Sequence, residues 1–168
     1  MSDLLTRVAD ELAIRGVLTR YARGIDRCDE AVLRSVWWPG AQADYGQGET
    51  DAGEWSGSVV QALATMRRTQ HFLGNMAVEL DGDRATAETY CRAYHEVDGA
   101  DGRQEMEVGG RYLDRLEKRD GEWRIAHRRY VLDWNRNMAS TAAWDGPLYG
   151  GLTRVGARAP DDPSYTGA

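Results

Sequence analysis

The sequence predicts an α+β domain in which N-terminal helices pack against a cone-shaped, curved antiparallel sheet. Two rhythms carry that prediction: apolar residues recur at three- and four-residue steps near the start of the chain, and from His71 onward the period falls to two. Two turn signals, Asp81-Gly82-Asp83 and Arg119-Asp120-Gly121-Glu122, divide the second half into long hairpins. Helices first and hairpins after are the order of an α+β domain.

The first helix is expected from Leu5 to Ile25, with Leu5, Val8, Leu12, Val17, Leu18, Tyr21 and Ile25 as its apolar stripe. Asp29 can cap a second helix over Glu30 to Trp37, which Pro39-Gly40 ends. After the polar run around Gly46 to Gly53, a third helical stretch from Gly57 to Arg68 presents Val59, Val60, Leu63 and Met66 on one side. In the first strand His71, Leu73, Asn75 and Ala77 alternate with Phe72, Gly74, Met76 and Val78, and the Asp81 turn leads into Ala85 to Val97. The second hairpin pairs Glu105 to Glu117 with Trp123 to Trp134. Residues 1–136 read as one domain. Residues 137–168, rich in Gly, Ala, Pro and Asp, read as an irregular tail over the surface or onto a neighbouring subunit.

Composition narrows the function. At 168 residues and 18.8 kDa the chain has room for one core, and 42% hydrophobic with 29% charged residues fits a globular protein and excludes wholesale disorder. No apolar run approaches the roughly 20 residues that span a bilayer, and MSDLLTRVADE resembles neither a signal nor a transit peptide. A cytoplasmic location and no membrane partner are therefore expected. A net charge of −6 and a pI near 5.1 argue against a nucleic-acid partner. Cys28 and Cys91 lack CxxC spacing, so reduced thiols are expected and not a redox or zinc motif.

Four residues could carry chemistry. Leu18, Ala22 and Asp26 are spaced by four, so Asp26 continues the apolar side of its helix, where a carboxylate needs a partner. It could instead bond the backbone of the turn Asp26-Arg27-Cys28-Asp29. His71 opens a strand and could direct its imidazole inward, or serve as an edge residue. If both faced the same interior, the carboxylate would fix the ring's tautomer and raise its basicity. Arg128 alternates with His127 and Arg129, so at least one cation faces each side; an inward Arg128 could hold an anionic leaving group, whereas an outward one is solvated. Tyr21 lies about 140° around the helix from Asp26 and could donate a proton or simply pack. Trp37, Trp38, Trp55 and Tyr45 suit an apolar pocket or plain core, and Leu73 and Asn75 share the His71 face. Of these, Trp38, Tyr45, Leu73 and Asn75 are the expected substrate-binding residues. His95 and His127 show no metal-ligand spacing and read as structural, so no metal site is expected. Gly109 to Tyr112 lies inside a strand with no helix after it, which excludes a phosphate-cradling loop.

The runs YARGIDRCDEAVLRSVWWPGA, TQHFLGN and GGRYLDRLEKRDGEWRIAHR resemble the SnoaL-like (nuclear-transport-factor-2-like) family, whose fold is a cystatin-like roll. The likeness covers Leu4 to Trp134 and is nearest to two cofactor-free lyase groups, the γ-hexachlorocyclohexane dehydrochlorinases and the bile-acid 7α-dehydratases. It implies a His–Asp general-base pair of His71 and Asp26, completed by Arg128 and, as in the dehydratases, by Tyr21. The dehydrochlorinases have Lys at the Tyr21 position, which favours an oxygen leaving group here. The activity implied is a cofactor-independent dehydratase-like β-elimination on a cyclic apolar small molecule. An isomerase or cyclase using the same pair, or a non-catalytic binding or assembly subunit, are the alternatives. The resemblance also implies a homo-oligomer, with a trimer favoured.

Overall fold

The computed structural model describes residues 2–166; residue 1 and the last two residues of the expected tail lie outside the described residues. The chain order is α1 (Ser2–Asp26), α2 (Glu30–Ser35), β1 (Trp37–Asp44), β2 (Glu49–Asp51), α3 (Ala52–Ala64), β3 (Arg68–Asp81), β4 (Arg84–Gly99), β5 (Gly102–Arg119) and β6 (Glu122–Ala139). A 3-10 turn, Pro163–Tyr165, follows in the tail. The six strands form one sheet in the order β2-β1-β6-β5-β4-β3. All neighbours are antiparallel except β1 and β6, which run parallel, so the expected α+β architecture is built on a mixed sheet.

The core lies between the helices and the inner face of the sheet: Ile14, Leu18, Tyr21 and Ile25 of α1 and Leu33 of α2 are buried with Trp37, Leu116 and Ile125. Gly24 lets the two helices touch, since a Cβ there would meet the Leu33 backbone at 2.9 Å. The stripe expected along α1 is two stripes. At 100° per residue Leu12 falls about 200° from Ile14, and Leu5, Val8 and Leu12 share that opposite side. Leu5 and Leu12 are accordingly 67% and 64% exposed.

Several boundaries differ from the sequence expectation. Helix α2 stops at Ser35, and Trp37 already starts β1; Pro39 and Gly40 sit inside that strand. They are tolerated because pairing with β6 is interrupted between Trp37 and Gln42, so no ladder N–H is missed. Helix α3 starts five residues earlier than Gly57, because the Asp51 carboxylate accepts from the N–H groups of Gly53 and Glu54 and caps it there. It ends at Ala64, freeing Arg68 to begin β3.

Two bulges set which side chains face inward. Between Leu73 and Met76 the β3–β4 register shifts, so Asn75 is exposed and Met76 takes the inward place. On β6 the register jumps between Ile125 and His127, leaving Ala126 unpaired, so that Ile125 and Arg128 both point into the core. The tail after Ala139 has little regular structure but lies on its own chain: Ala159 N–H donates to the Arg27 carbonyl (2.7 Å) and Tyr165 Oη to the Asp29 carboxylate (2.7 Å). Among the described residues no helix is long and apolar enough to cross a membrane.

Candidate functional site

A cavity of about 340 Å³ opens between the last turns of α1, helix α3 and the inner face of the sheet, lined by Tyr21, Tyr45, Trp55, His71, His95 and Tyr112 among others. Wider grooves of about 580 and 630 Å³ follow charged positions of the sheet such as Glu79 and Arg115, and one of about 430 Å³ is lined by Asp26, His71 and Arg158. The smaller cavity is the chemical candidate because it joins two imidazoles to three phenols in an apolar setting.

Asp26 is the last residue of α1, and its carboxylate spans to β3 with both oxygens. Oδ1 lies 2.8 Å from His71 Nδ1, and Oδ2 accepts the His71 backbone N–H at 2.7 Å. The two side chains are only 12% and 8% exposed. A carboxylate on Nδ1 selects the tautomer with the proton on that nitrogen and leaves Nε2 as the acceptor. The turn-capping alternative for Asp26 is met elsewhere, since Asp29 caps α2 through the Val32 N–H.

Tyr21 is 1% exposed and shares a short hydrogen bond with the Tyr45 hydroxyl. Trp55 lies flat against Tyr45, with ring centroids 4.4 Å apart, and against Tyr21 at 6.2 Å. Burial raises the pKa of Tyr21, Tyr45 and Tyr112 above the ordinary phenol value, so all three are neutral hydroxyls at physiological pH.

Arg128 is fully buried but does not line the cavity. Its guanidinium makes two 2.7 Å bonds to the Asp114 carboxylate and lies on the faces of Tyr21 (3.8 Å) and Tyr112 (4.0 Å). Burial works against its charge, yet the Asp114 carboxylate holds it protonated well above the usual range. Its Nη1 has no hydrogen-bond partner among the described residues.

The expected substrate-binding residues divide. Tyr45 lines the cavity. Leu73 is half-buried against the core without reaching the cavity lining, and the bulge turns Asn75 to the surface. Trp38 faces the other way, because strand alternation from Trp37 puts the first Trp inside and the second outside; its Nε1 donates to the Glu117 carbonyl, and Arg119 and Arg124 stack on its ring.

His95, read from sequence as structural, lies in the cavity with its ring edge-on to His71 at 5.5 Å. Burial, aided by the neighbouring His71, lowers its pKa to about 4, which keeps it a neutral donor and acceptor at physiological pH. The signal was present: His95 continues the inward series Cys91 and Ala93 on β4, and it pairs with Thr69, two residues before His71. His127 instead pairs with Glu49 at the surface (3.1 Å). Among the described residues no group of three or more His, Cys, Asp or Glu side chains could hold a metal ion.

Fold and site together define a helix-capped cone of curved sheet enclosing an aromatic pocket with an Asp–His contact at one wall. Residues 6–129 match the SnoaL-like domain model, and the chain belongs to that family. An uncharacterized protein of Mycobacterium tuberculosis is 29% identical over 130 residues, covering 74% of this chain and 86% of the relative. In fold the chain is similar to the hexachlorocyclohexane dehydrochlorinase LinA-type3 of Novosphingobium barchaimii (21% identity, TM-score 0.73, 83% of this chain and 97% of that one). It is similar too to a provisionally named scytalone dehydratase of Novosphingobium aromaticivorans (18% identity, TM-score 0.72, 85% of this chain and 95% of that one).

Proposed function

We propose that the protein is a cofactor-independent lyase that eliminates water from a cyclic, largely apolar small molecule. The observation that carries this reading is the double hold of Asp26 on His71, which fixes the ring in the cavity wall with Nε2 free to take a proton. His71 Nε2 removes a proton from carbon, the electron pair forms the new double bond, and the adjacent C–O bond breaks. The departing hydroxide takes the proton of the Tyr21–Tyr45 hydroxyl pair and leaves as water; the proton on His71 then returns to the phenolate.

Arg128 acts on the leaving group through Tyr21. Its cation lies on the Tyr21 ring face and favours the phenolate that forms when the proton is given up. Chloride would need no such proton, so the phenol pair favours an oxygen leaving group, in keeping with the scytalone dehydratase-type neighbour in fold and not with the dehydrochlorinase. The stacked Trp55, Tyr45 and Tyr21 suit a flat ring system. The protein acts as a homo-oligomer, a trimer by family resemblance, and the exposed Leu5, Val8 and Leu12 on α1 with Phe72 and Trp134 on the sheet are the apolar surface available for it.

The test is a panel of cyclic β-hydroxy ketones and related alcohols, read by mass spectrometry for loss of one water. Such positioned base catalysis supplies about 10²- to 10⁴-fold in rate. His71→Ala and Asp26→Asn are expected to abolish turnover with the circular dichroism unchanged; full activity in either variant removes the reading.

A further inference from the structure

Arg158 lies in the tail, beyond the matched SnoaL-like residues, yet its guanidinium reaches the elements that carry the base. Nη1 donates to the Asp26 main-chain carbonyl (2.6 Å) and to Thr69 Oγ1 (2.6 Å). Nη2 donates to the carbonyls of Leu63 (3.1 Å) and Met66 (3.2 Å). One planar group thus ties the carboxyl end of α1, the carboxyl end of α3 and the start of β3, two residues before His71. Both helix ends carry partial negative charge, and a cation is the complementary partner. Among the described residues these four bonds go to three carbonyls and a hydroxyl.

The tail is organised to deliver this side chain. Asp162, 4% exposed, accepts the N–H groups of Ala157 (2.9 Å) and Ser164 (3.0 Å) and pairs with Arg27 (3.3 Å). Asp162 N–H returns to the Arg158 carbonyl (3.0 Å), and Ala159 N–H docks on the Arg27 carbonyl. The turn is therefore closed on both sides of Arg158 and fastened to the residue that follows Asp26.

We propose that Arg158 is a positioning residue for the His71–Asp26 base: it sets the distance between the end of α1 and the start of β3 across which the carboxylate meets the imidazole. This rests on the general-base reading above. A carboxylate that must bond both a backbone N–H and a ring nitrogen tolerates little displacement, and misplacement of about 1 Å costs on the order of 10²-fold in catalysis.

The experiment reads the pair directly. The chain has three histidines, so ¹⁵N-histidine labelling, with His71→Gln to assign the peak, isolates the His71 Nδ1–H resonance held by Asp26. In the full chain it is expected in slow exchange with water. In Arg158→Ala it is expected to exchange about tenfold faster or vanish, the effect of losing a charge-assisted hydrogen bond, and guanidinium ion at non-denaturing concentration restores it. Thr69→Val, which removes one acceptor and leaves the tail intact, is expected to shift exchange in the same direction by a smaller factor. An unchanged resonance in Arg158→Ala overturns the proposal while the general-base reading stands. If Arg158→Ala does not fold, Thr69→Val decides, and an unchanged resonance there overturns it equally. A wild-type chain with no protected Nδ1–H refutes both, because no bonded pair would exist to be positioned.

Discussion

Replacing Arg128 by Met separates what this residue does for the fold from what it does for chemistry. Arg128 and Asp114 are both fully buried in their side chains and joined by two 2.7 Å bonds. Arg128→Met removes the cation and leaves the Asp114 carboxylate uncompensated, for which about 3–5 kcal/mol is the usual cost. In a domain of this size each kcal/mol moves the melting temperature by about 2–4 °C, so the loss should be on the order of 6–20 °C. Neutralising both partners, as in Arg128→Met with Asp114→Leu, removes the orphaned charge and should recover most of that loss. Urea unfolding of the four proteins in the cycle gives the coupling energy. A single Arg128→Met variant destabilised by less than about 1 kcal/mol would refute the reasoning, because the pair would then not be holding a charge in the core. The double variant is also the right one for turnover: a loss of activity there, with stability restored, reports on the charge next to Tyr21 and not on a damaged fold.

Tyr21→Phe should leave the stacking on Trp55 intact and lower elimination from poor oxygen leaving groups more than from good ones, measured as a ratio of rates across a leaving-group series. His95 is held neutral with a pKa of about 4, whereas an unfolded His titrates near 6.5. The unfolded chain therefore binds the extra proton between those values, so His95 should make stability rise as pH increases from about 4 to 6.5, and His95→Gln should flatten that part of the urea-midpoint curve. A Cβ on Gly110 would run into the Val131 carbonyl and the Tyr130 ring, whereas one on Gly109 meets the ring of the half-exposed Trp134, which can swing away. Gly110→Ala should therefore cost about 1–3 kcal/mol by denaturant unfolding and Gly109→Ala less.

The long elements were legible because their periods are long. β4, β5 and β6 extend only a few residues past their expected ends, and the change of rhythm at His71 marks the sheet. What eluded the sequence was local. A three-residue strand, β2, is too short to show a period, and Asp51 as a cap hides within a polar run. The opposite-side residues of α1 obey three- and four-residue steps among themselves, so step size without absolute angle joined them to the core stripe. Asp26, His71 and Tyr21 could be singled out as candidates from helix position, strand position and family motif, and the structure brings Asp26 onto His71 beside the cavity that Tyr21 lines. Asn75 was misplaced by a bulge, since one extra residue reverses every later facing. Arg158 gives no local signal at all: one of two Arg in a Gly- and Pro-rich tail, it becomes meaningful only when three carbonyls and a hydroxyl converge on it.

The carboxylate of Asp26 grips both the main chain and the ring of His71, and this divides the cavity into a wall that can be rebuilt and a wall that cannot. The pair is tied to α1 and β3 and, through Arg158, to the tail, so a substitution there moves several groups at once. Across from it, Trp55, Val59 and Leu63 of α3 and Thr50 of β2 line the same space without bonding the pair. Under the proposed general-base role, changes of substrate shape can accumulate on that side while the Asp26–His71 geometry is inherited intact, which is the condition under which one fold comes to serve many small molecules.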